Sequence, residues 1–260
     1  MDLKEIKLFV IDMDGTIYIG GELFEWTLPF LEHLEEKGIK YVFLTNNSSK
    51  SAKDYQDMLK EMGIENPVVF TSGEATARYV KRNFPNKSVY IFGTENLINV
   101  FKNFNIKIDE ETPDLLVLGY DTSATYEKIR RFALHLRKGL PYIATHPDIN
   151  CPSKEGLIPD AGSFIALFEK STGRTPDFIV GKPNPQMLYE IAQACSVDVS
   201  EIAMVGDRLY TDIKMAIDAG AIPILTLSGE TNIEDVPEKL RKRIVIVENI
   251  GEIAKKLLNS

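Results

Sequence analysis

Two aspartates separated by one residue, Asp12 and Asp14, close the apolar run Ile6–Ile11 and open the turn Asp12-Met13-Asp14-Gly15-Thr16. Side chains two positions apart on an extended chain point the same way. Carboxylates held together like this repel each other unless a cation neutralises them. Mg2+ is the natural candidate, because it takes few protein carboxylates and bridges to phosphate oxygens. The plainer alternative is a polar turn that ends a strand.

Three more polar clusters follow short apolar runs in the same way. Tyr41–Leu44 leads into Thr45-Asn46-Asn47-Ser48-Ser49. A threonine hydroxyl and N–H groups at a helix start suit a phosphate, and capping by Ser48 or Ser49 is the simpler reading. Phe178–Val180 leads into Gly181-Lys182-Pro183-Asn184-Pro185. The Lys182 ammonium either neutralises a phosphate or carboxylate or sits solvated at the surface. Ile202–Val205 leads into Gly206-Asp207-Arg208-Leu209-Tyr210-Thr211-Asp212, which adds two carboxylates. Asp212 also suits the first turn of a helix, where the dipole favours an acid. Together the four clusters offer a nucleophile, an acid/base, phosphate donors, a cation and metal ligands.

The elements that must position these groups are legible as apolar runs. Ile6–Ile11, Tyr41–Leu44, Val68–Phe70, Val89–Phe92, Leu115–Leu118, Tyr142–Ala144, Ile202–Val205, Ile222–Leu227 and Ile244–Val247 fit strands, the first buried on both faces. Between them, Ser51–Met62, Tyr126–Arg137 and Tyr210–Ala219 carry apolar residues at helical spacing, and Gly63 and Gly220 follow the first and third as helix stops. Strands alternating with such helices predict a parallel α/β sheet. All four clusters then fall at strand C-termini, the edge at which open α/β sheets bind ligands. Nine strands suit two sheets better than one.

Composition narrows the function classes. The chain has 260 residues, 44% hydrophobic and 26% charged, which excludes wholesale disorder and small disulfide scaffolds. Thirty basic against 38 acidic residues give a net charge of −8, the opposite of the footprint needed for nucleic acid or an anionic membrane surface. Cys151 and Cys195 form no CxxC pair, so a zinc site is not expected and two thiols in a reducing compartment is the simpler reading. The start, Met1-Asp2-Leu3-Lys4-Glu5, does not resemble a signal peptide, and no run reaches the length of a membrane span. The expectation is a cytoplasmic protein.

The ordered set DMDGT, TNNSS, GKPNP and GDRLYTD resembles the four motifs of the haloacid dehalogenase (HAD) superfamily, in its phosphatase branch and the NagD-like, p-nitrophenylphosphatase group. The resemblance implies a Rossmann-like parallel-sheet core with an inserted α/β C2-type cap. Carried onto this chain, the core spans residues 1–80 and 180–260 and the cap spans 81–179. The stretch Ile17–Trp26 takes the place of the family's squiggle and flap. Asp12 is implied as the nucleophile that becomes an aspartyl phosphate, and Asp14 as the general acid/base. Thr45, helped by the Asn46 amide, is implied to bind the phosphoryl group. Asn47 is implied to hold the nucleophile loop or the substrate, and Lys182 to offset negative charge. Mg2+ is implied at Asp12, the Asp14 carbonyl and Asp207, with Asp212 in or near this set. Substrate choice belongs to the cap, where His146–Cys151 and Asp160–Ser163 are candidates to face substrate. His146 and Asp160 are the named contacts, with a structural histidine as the alternative for His146. Trp26 is expected to pack, and Cys151 to be a small packed residue. The implied partner is a small phosphorylated metabolite, with opening and closing of the cap at the two crossings and a homodimer as an assembly of the group.

Asp14 favours phosphate ester chemistry, because an alkoxide leaving group needs a proton and a halide does not. A phosphotransferase or phosphomutase using the same aspartate is the nearest competitor. A non-enzymatic sensor of a phosphometabolite is a third reading, opposed by the intact Asp12, Asp14, Lys182 and Asp207. A receiver domain also phosphorylates an aspartate at a strand end, but it is smaller and has no use for Asp14 or the inserted segment.

Overall fold

The computed structural model describes residues 5–153 and 155–258. Met1–Lys4, which entered the reading of the N-terminus, lie outside the described residues. In chain order the elements are β1 (Leu8–Asp12), β2 (Tyr18–Ile19), β3 (Glu22–Leu23), α1 (Thr27–Glu36), β4 (Lys40–Thr45), α2 (Ala52–Glu61) and β5 (Val69–Thr71). They continue with α3 (Ser72–Asn83), β6 (Val89–Phe92), α4 (Glu95–Asn103), β7 (Leu115–Leu118), α5 (Tyr126–Arg137) and β8 (Tyr142–Ala144). β9 (Asn150–Ser153), β10 (Gly156–Pro159), α6 (Ala161–Thr172), β11 (Phe178–Ile179) and α7 (Gln186–Cys195) follow. The last are β12 (Ile202–Gly206), α8 (Lys214–Ala219), β13 (Ile222–Thr226), α9 (Glu238–Arg241), β14 (Val245–Val247) and α10 (Gly251–Leu258).

The chain divides into two compact units. One holds Met1–Thr45, Tyr55–Phe70 and Pro183–Ser260, and the other Asn46–Asp54 and Thr71–Lys182. The chain passes between the units at residues 45/46, 54/55, 70/71 and 182/183. Helix α3 groups with the second unit because it packs closely on α4: a Cβ at Gly73 would meet Leu97 Cδ1 at 2.8 Å.

The first unit is built on a six-stranded sheet in the order β14-β13-β12-β1-β4-β5. The pairs β12–β1, β1–β4, β12–β13 and β13–β14 are parallel. β1 and β12 are buried along their whole length, which only a strand covered on both faces needs, and their unbroken apolar runs supply it. β1 is central, with Ile11 beside Val205 of β12 and Asp12 beside Leu44 of β4. The chain leaves β1 toward β4 and returns through β12 on the other side. The C-terminal ends of these three strands thus flank a point where strand order reverses, the usual ligand crevice of such sheets. After β1 the chain makes the short antiparallel hairpin β2–β3 within the stretch expected as the flap. Trp26 stacks on Phe24 with ring centroids 4.9 Å apart, and its Cβ lies beside Gly251 at the start of α10, in keeping with a packing role.

The second unit carries a four-stranded sheet, β11-β8-β7-β6, all parallel, and the antiparallel pair β9–β10. Its core is aromatic: Phe92, Phe132, Tyr142 and Phe168 are buried together, with the Phe132 and Phe168 rings 4.7 Å apart. The stripe expected on Tyr126–Arg137 places Phe132 and Leu136 in this cluster, with Ile129 and Ala133 packed against it. Threonine side chains cap three helices here: Thr71 for α3, Thr94 for α4 and Thr125 for α5.

Two local expectations change. α2 is capped by Ser51, which exchanges hydrogen bonds with Asp54 (2.8 and 3.3 Å), and not by Ser48 or Ser49. Ser48 instead accepts the Tyr120 N–H at 2.9 Å, and Ser49 bonds to Asn47. The helix expected over Tyr210–Ala219 begins as a π-turn, Leu209–Ile213, before α8. There the Ile213 N–H reaches back five residues to the Arg208 carbonyl at 3.2 Å. Among the described residues no helix is long and apolar enough to cross a membrane.

Candidate active site

Three buried carboxylates converge in the first unit. Asp12 ends β1, Asp207 follows β12 and Asp212 sits in the π-turn, and each offers an oxygen within 4.8 Å of the others. They are 7%, 2% and 0% exposed. Like charges this close oppose one another by about 3 kcal/mol per pair at an effective dielectric constant of ~20, so the cluster favours a bound cation.

The backbone around the cluster is shaped to let the carboxylates in. A Cβ at Gly15 or Gly229 would collide with the Asp207 carboxylate, and one at Gly206 would collide with Asp212. Gly15 also has φ +78°, which favours glycine on its own account. Asp212, within the π-turn, lies against Gly206. The set is all oxygen, compact and made of three carboxylates, the donor chemistry of a hard divalent cation such as Mg2+. The chain's own groups fit that ion.

Further bonds fix these acids. Asp207 Oδ2 accepts the Glu230 N–H at 2.7 Å, and Asp212 Oδ2 accepts the Arg208 N–H at 3.3 Å. Arg208 Nε lies 2.9 Å from Glu230 Oε2. Burial lowers the Arg208 pKa, but Asp12, Asp207 and Glu230 outweigh it and hold the guanidinium charged. Ser228 Oγ donates to the Gly15 carbonyl at 2.7 Å, which ties the loop after β13 to the turn after β1.

Asp14 is exposed at the start of that turn and is outside the carboxylate cluster. Its Oδ2 accepts the Tyr18 hydroxyl at 3.3 Å. Burial of Tyr18, then the nearby Asp14 charge, push the phenol pKa up, so Tyr18 stays protonated and donates. Thr45 closes β4, one residue beyond the Leu44 that pairs with Asp12.

The remaining candidates belong to the second unit, where they form a lattice of hydrogen bonds. The Asn46 side chain accepts the Lys182 N–H at 2.8 Å and donates to the Lys182 carbonyl at 3.1 Å. The same amide donates to Asp148 at 3.1 and 3.2 Å. Asn46 therefore fixes the Lys182 backbone, and the Lys182 side chain is itself buried. Gly181 permits this approach, since a Cβ there would meet Asn46 Oδ1 at 2.7 Å. Asn47 closes a local turn, its Oδ1 accepting the Ser49 N–H at 2.9 Å, and its amide lies 3.8 Å from Cys151 Sγ. Cys151 packs against the aromatic core as expected, and no disulfide joins it to Cys195.

His146 and Asp160, expected to contact substrate, are enclosed. His146 is 0% exposed; its Nε2 lies 2.8 Å from Asp160 Oδ1 and its Nδ1 2.9 Å from Thr145 Oγ1. Asp160 also caps α6 through the Ala161 N–H. Both His146 ring nitrogens are thus engaged, and the side chain has no exposed surface. Asp148 lies within the loop His146–Cys151 expected to face substrate, whereas nothing in the spacing of Tyr18 or Glu230 marks them.

Comparison with known proteins agrees with this geometry. Residues 9–107 match the haloacid dehalogenase-like hydrolase family, and residues 179–253 match the HAD-hydrolase-like family. The acid sugar phosphatase of Staphylococcus aureus is 36% identical over 91% of this chain and 92% of its own length. The structure resembles a 4-nitrophenylphosphatase from Thermotoga maritima, with a TM-score of 0.92, 49% identity, and coverage of 97% of this chain and 98% of that one. It also resembles NagD from E. coli K-12, with a TM-score of 0.88, 30% identity, and coverage of 95% and 98%. The chain belongs to the haloacid dehalogenase-like hydrolases, in their NagD-like phosphatase group.

Proposed function

We propose that the chain hydrolyses small phosphomonoesters, sugar phosphates among them, in a Mg2+-dependent reaction that passes through a phosphorylated Asp12. The observation that carries this is the buried convergence of Asp12, Asp207 and Asp212 within 4.8 Å at the strand C-termini. The acid sugar phosphatase and 4-nitrophenylphosphatase relatives support the substrate class.

The Asp12 carboxylate attacks phosphorus, and the bond from phosphorus to the ester oxygen breaks. Asp14 delivers its proton to the departing alkoxide. It then takes a proton from the water that attacks phosphorus, which cleaves the acyl phosphate, restores Asp12 and releases inorganic phosphate. Tyr18 holds the Asp14 carboxyl in one orientation for both transfers. Asp207 and Asp212 would hold Mg2+ together with Asp12 and the Asp14 carbonyl; when bound, this ion screens the phosphate dianion from the attacking carboxylate. Thr45 and the Asn46 main chain bind the phosphoryl oxygens, and Lys182, its backbone fixed by Asn46, adds a buried positive charge. Asn47 shapes the loop that follows. His146 and Asp160 act by bracing the residues 145–148 segment. Residues 1–80 and 180–260 form the hydrolase core, and residues 81–179 select the substrate.

Phosphate release across a panel of phosphomonoesters, with Mg2+ or with EDTA, tests this reading. Metal-dependent release is expected, with sugar phosphates and p-nitrophenyl phosphate among the substrates. Release that is unchanged in EDTA would overturn the metal requirement. Product phosphorylated on an added alcohol or sugar, in place of free phosphate, would make the chain a transferase.

A further inference from the structure

We propose that Asp148 is a positioning residue for Lys182 and acts through the Asn46 side chain. This rests on the phosphate-binding role proposed for Lys182 and names the groups that hold that lysine in place.

All of these groups lie in the second unit. The Asn46 amide and the Lys182 main chain close a ring: Oδ1 accepts the Lys182 N–H at 2.8 Å, and Nδ2 donates to the Lys182 carbonyl at 3.1 Å. An asparagine amide has one further proton to give. It goes to Asp148, whose two carboxylate oxygens lie 3.2 and 3.1 Å from Nδ2. A hydrogen bond to a carboxylate is roughly twice as strong as one between neutral groups. Asp148 therefore locks the amide in the orientation that pairs with Lys182.

The loop that carries Asp148 is itself held. The Asp148 carbonyl accepts the Gly162 N–H at 2.7 Å, and a Cβ at Gly162 would collide with the Pro147 and Asp148 carbonyls. His146 anchors the same loop to Asp160 at 2.8 Å. On the other side of the contact, Ser72 donates to the Asn46 carbonyl and fixes its main chain. With both partners fixed, a residue 34 positions before Lys182 sets how firmly the lysine is placed. A carboxylate that only met substrate would leave the Lys182 main chain unchanged when removed.

The test reads amide hydrogen exchange in 1H–15N spectra of the full chain without substrate, and kcat/KM for p-nitrophenyl phosphate with Mg2+. Asp148→Ala is expected to speed exchange of the Lys182 N–H at least about tenfold, while the amides of β7 keep their wild-type rates. It is also expected to lower kcat/KM about tenfold to a hundredfold. Asp148→Asn keeps an oxygen that can accept the Asn46 amide, and should stay within about threefold of wild type in both measurements. Unchanged Lys182 exchange in Asp148→Ala overturns the proposal whatever the kinetics show. So does faster exchange that extends to β7, faster Lys182 exchange with unchanged kcat/KM, or an Asp148→Asn chain as impaired as Asp148→Ala. A wild-type chain without turnover overturns the hydrolase reading instead, and the exchange rates still decide whether Asp148 holds Lys182.

Discussion

Asp12 and Asp14 are two residues apart yet occupy different environments. Asp12 is buried in the carboxylate cluster, whereas Asp14 is exposed and bonded to Tyr18. Asp14→Asn retains a group that can accept the Tyr18 hydroxyl but has no proton to move. It is expected to lower kcat for a sugar phosphate about 100- to 10,000-fold. The loss should be smaller for p-nitrophenyl phosphate, whose leaving group needs less protonation. Equal losses on both substrates in steady-state assays would argue against Asp14 as the proton donor. The sequence exposes these acids because their types and spacing are chemical. It does not expose Tyr18 or Glu230, whose contributions arise from three-dimensional contacts. It also leaves the His146 alternatives open, since burial and the bond to Asp160 depend on the fold.

The elements show where periodicity suffices and where it does not. β6, β7 and β8 match the apolar runs residue for residue, because a strand covered on both faces needs an unbroken run. The π-turn at Leu209–Ile213 is invisible to periodicity, since one extra residue per turn shifts only a few side chains. Gly206 faces that turn without a left-handed φ of its own, so a methyl group there acts through space alone. Gly206→Ala is expected to displace Asp212 and to weaken Mg2+ binding at least tenfold, with a stability cost of about 1–3 kcal/mol. Unchanged Mg2+ affinity by titration would contradict the role given to Asp212. In the second unit, Asp114 ties β7 to the segment before β6 by accepting the Ser88 N–H at 2.8 Å, the Ser88 hydroxyl and Lys87. Those bonds, the Ser88 N–H first, hold its carboxyl below the ordinary value of 3.8. A lowered folded pKa means stability that is complete above 3.8 and lost as pH falls through the folded value. Asp114→Asn should therefore lower Tm at pH 7, and the gap from wild type should close as the pH is brought below 3. A gap that is constant across this range would contradict the account.

At the scale of the whole molecule, the two-sheet organisation was legible because nine apolar runs are too many for one small sheet. The crossings were less legible. Nothing in composition marks them, and the close packing of Gly73 on Leu97 moves α3 into the second unit. A cation that binds the folded cluster and not the unfolded chain must raise stability by mass action. Mg2+ at a hundredfold excess over its Kd is expected to add about 2.7 kcal/mol, or roughly 5–10 °C in Tm for a chain of this size. Ca2+ and Na+ controls at matched ionic strength would separate this from a general salt effect.

The central claim is that phosphate passes through Asp12. The most direct measurement is acid quench of the wild-type chain during turnover of p-nitrophenyl phosphate with Mg2+, followed by peptide mass mapping beside Asp12→Asn. The account predicts a phosphoryl group on the peptide that contains Asp12, absent from Asp12→Asn, which should also lose turnover. Turnover that persists in Asp12→Asn, or a phosphoryl group found on another residue, would contradict it.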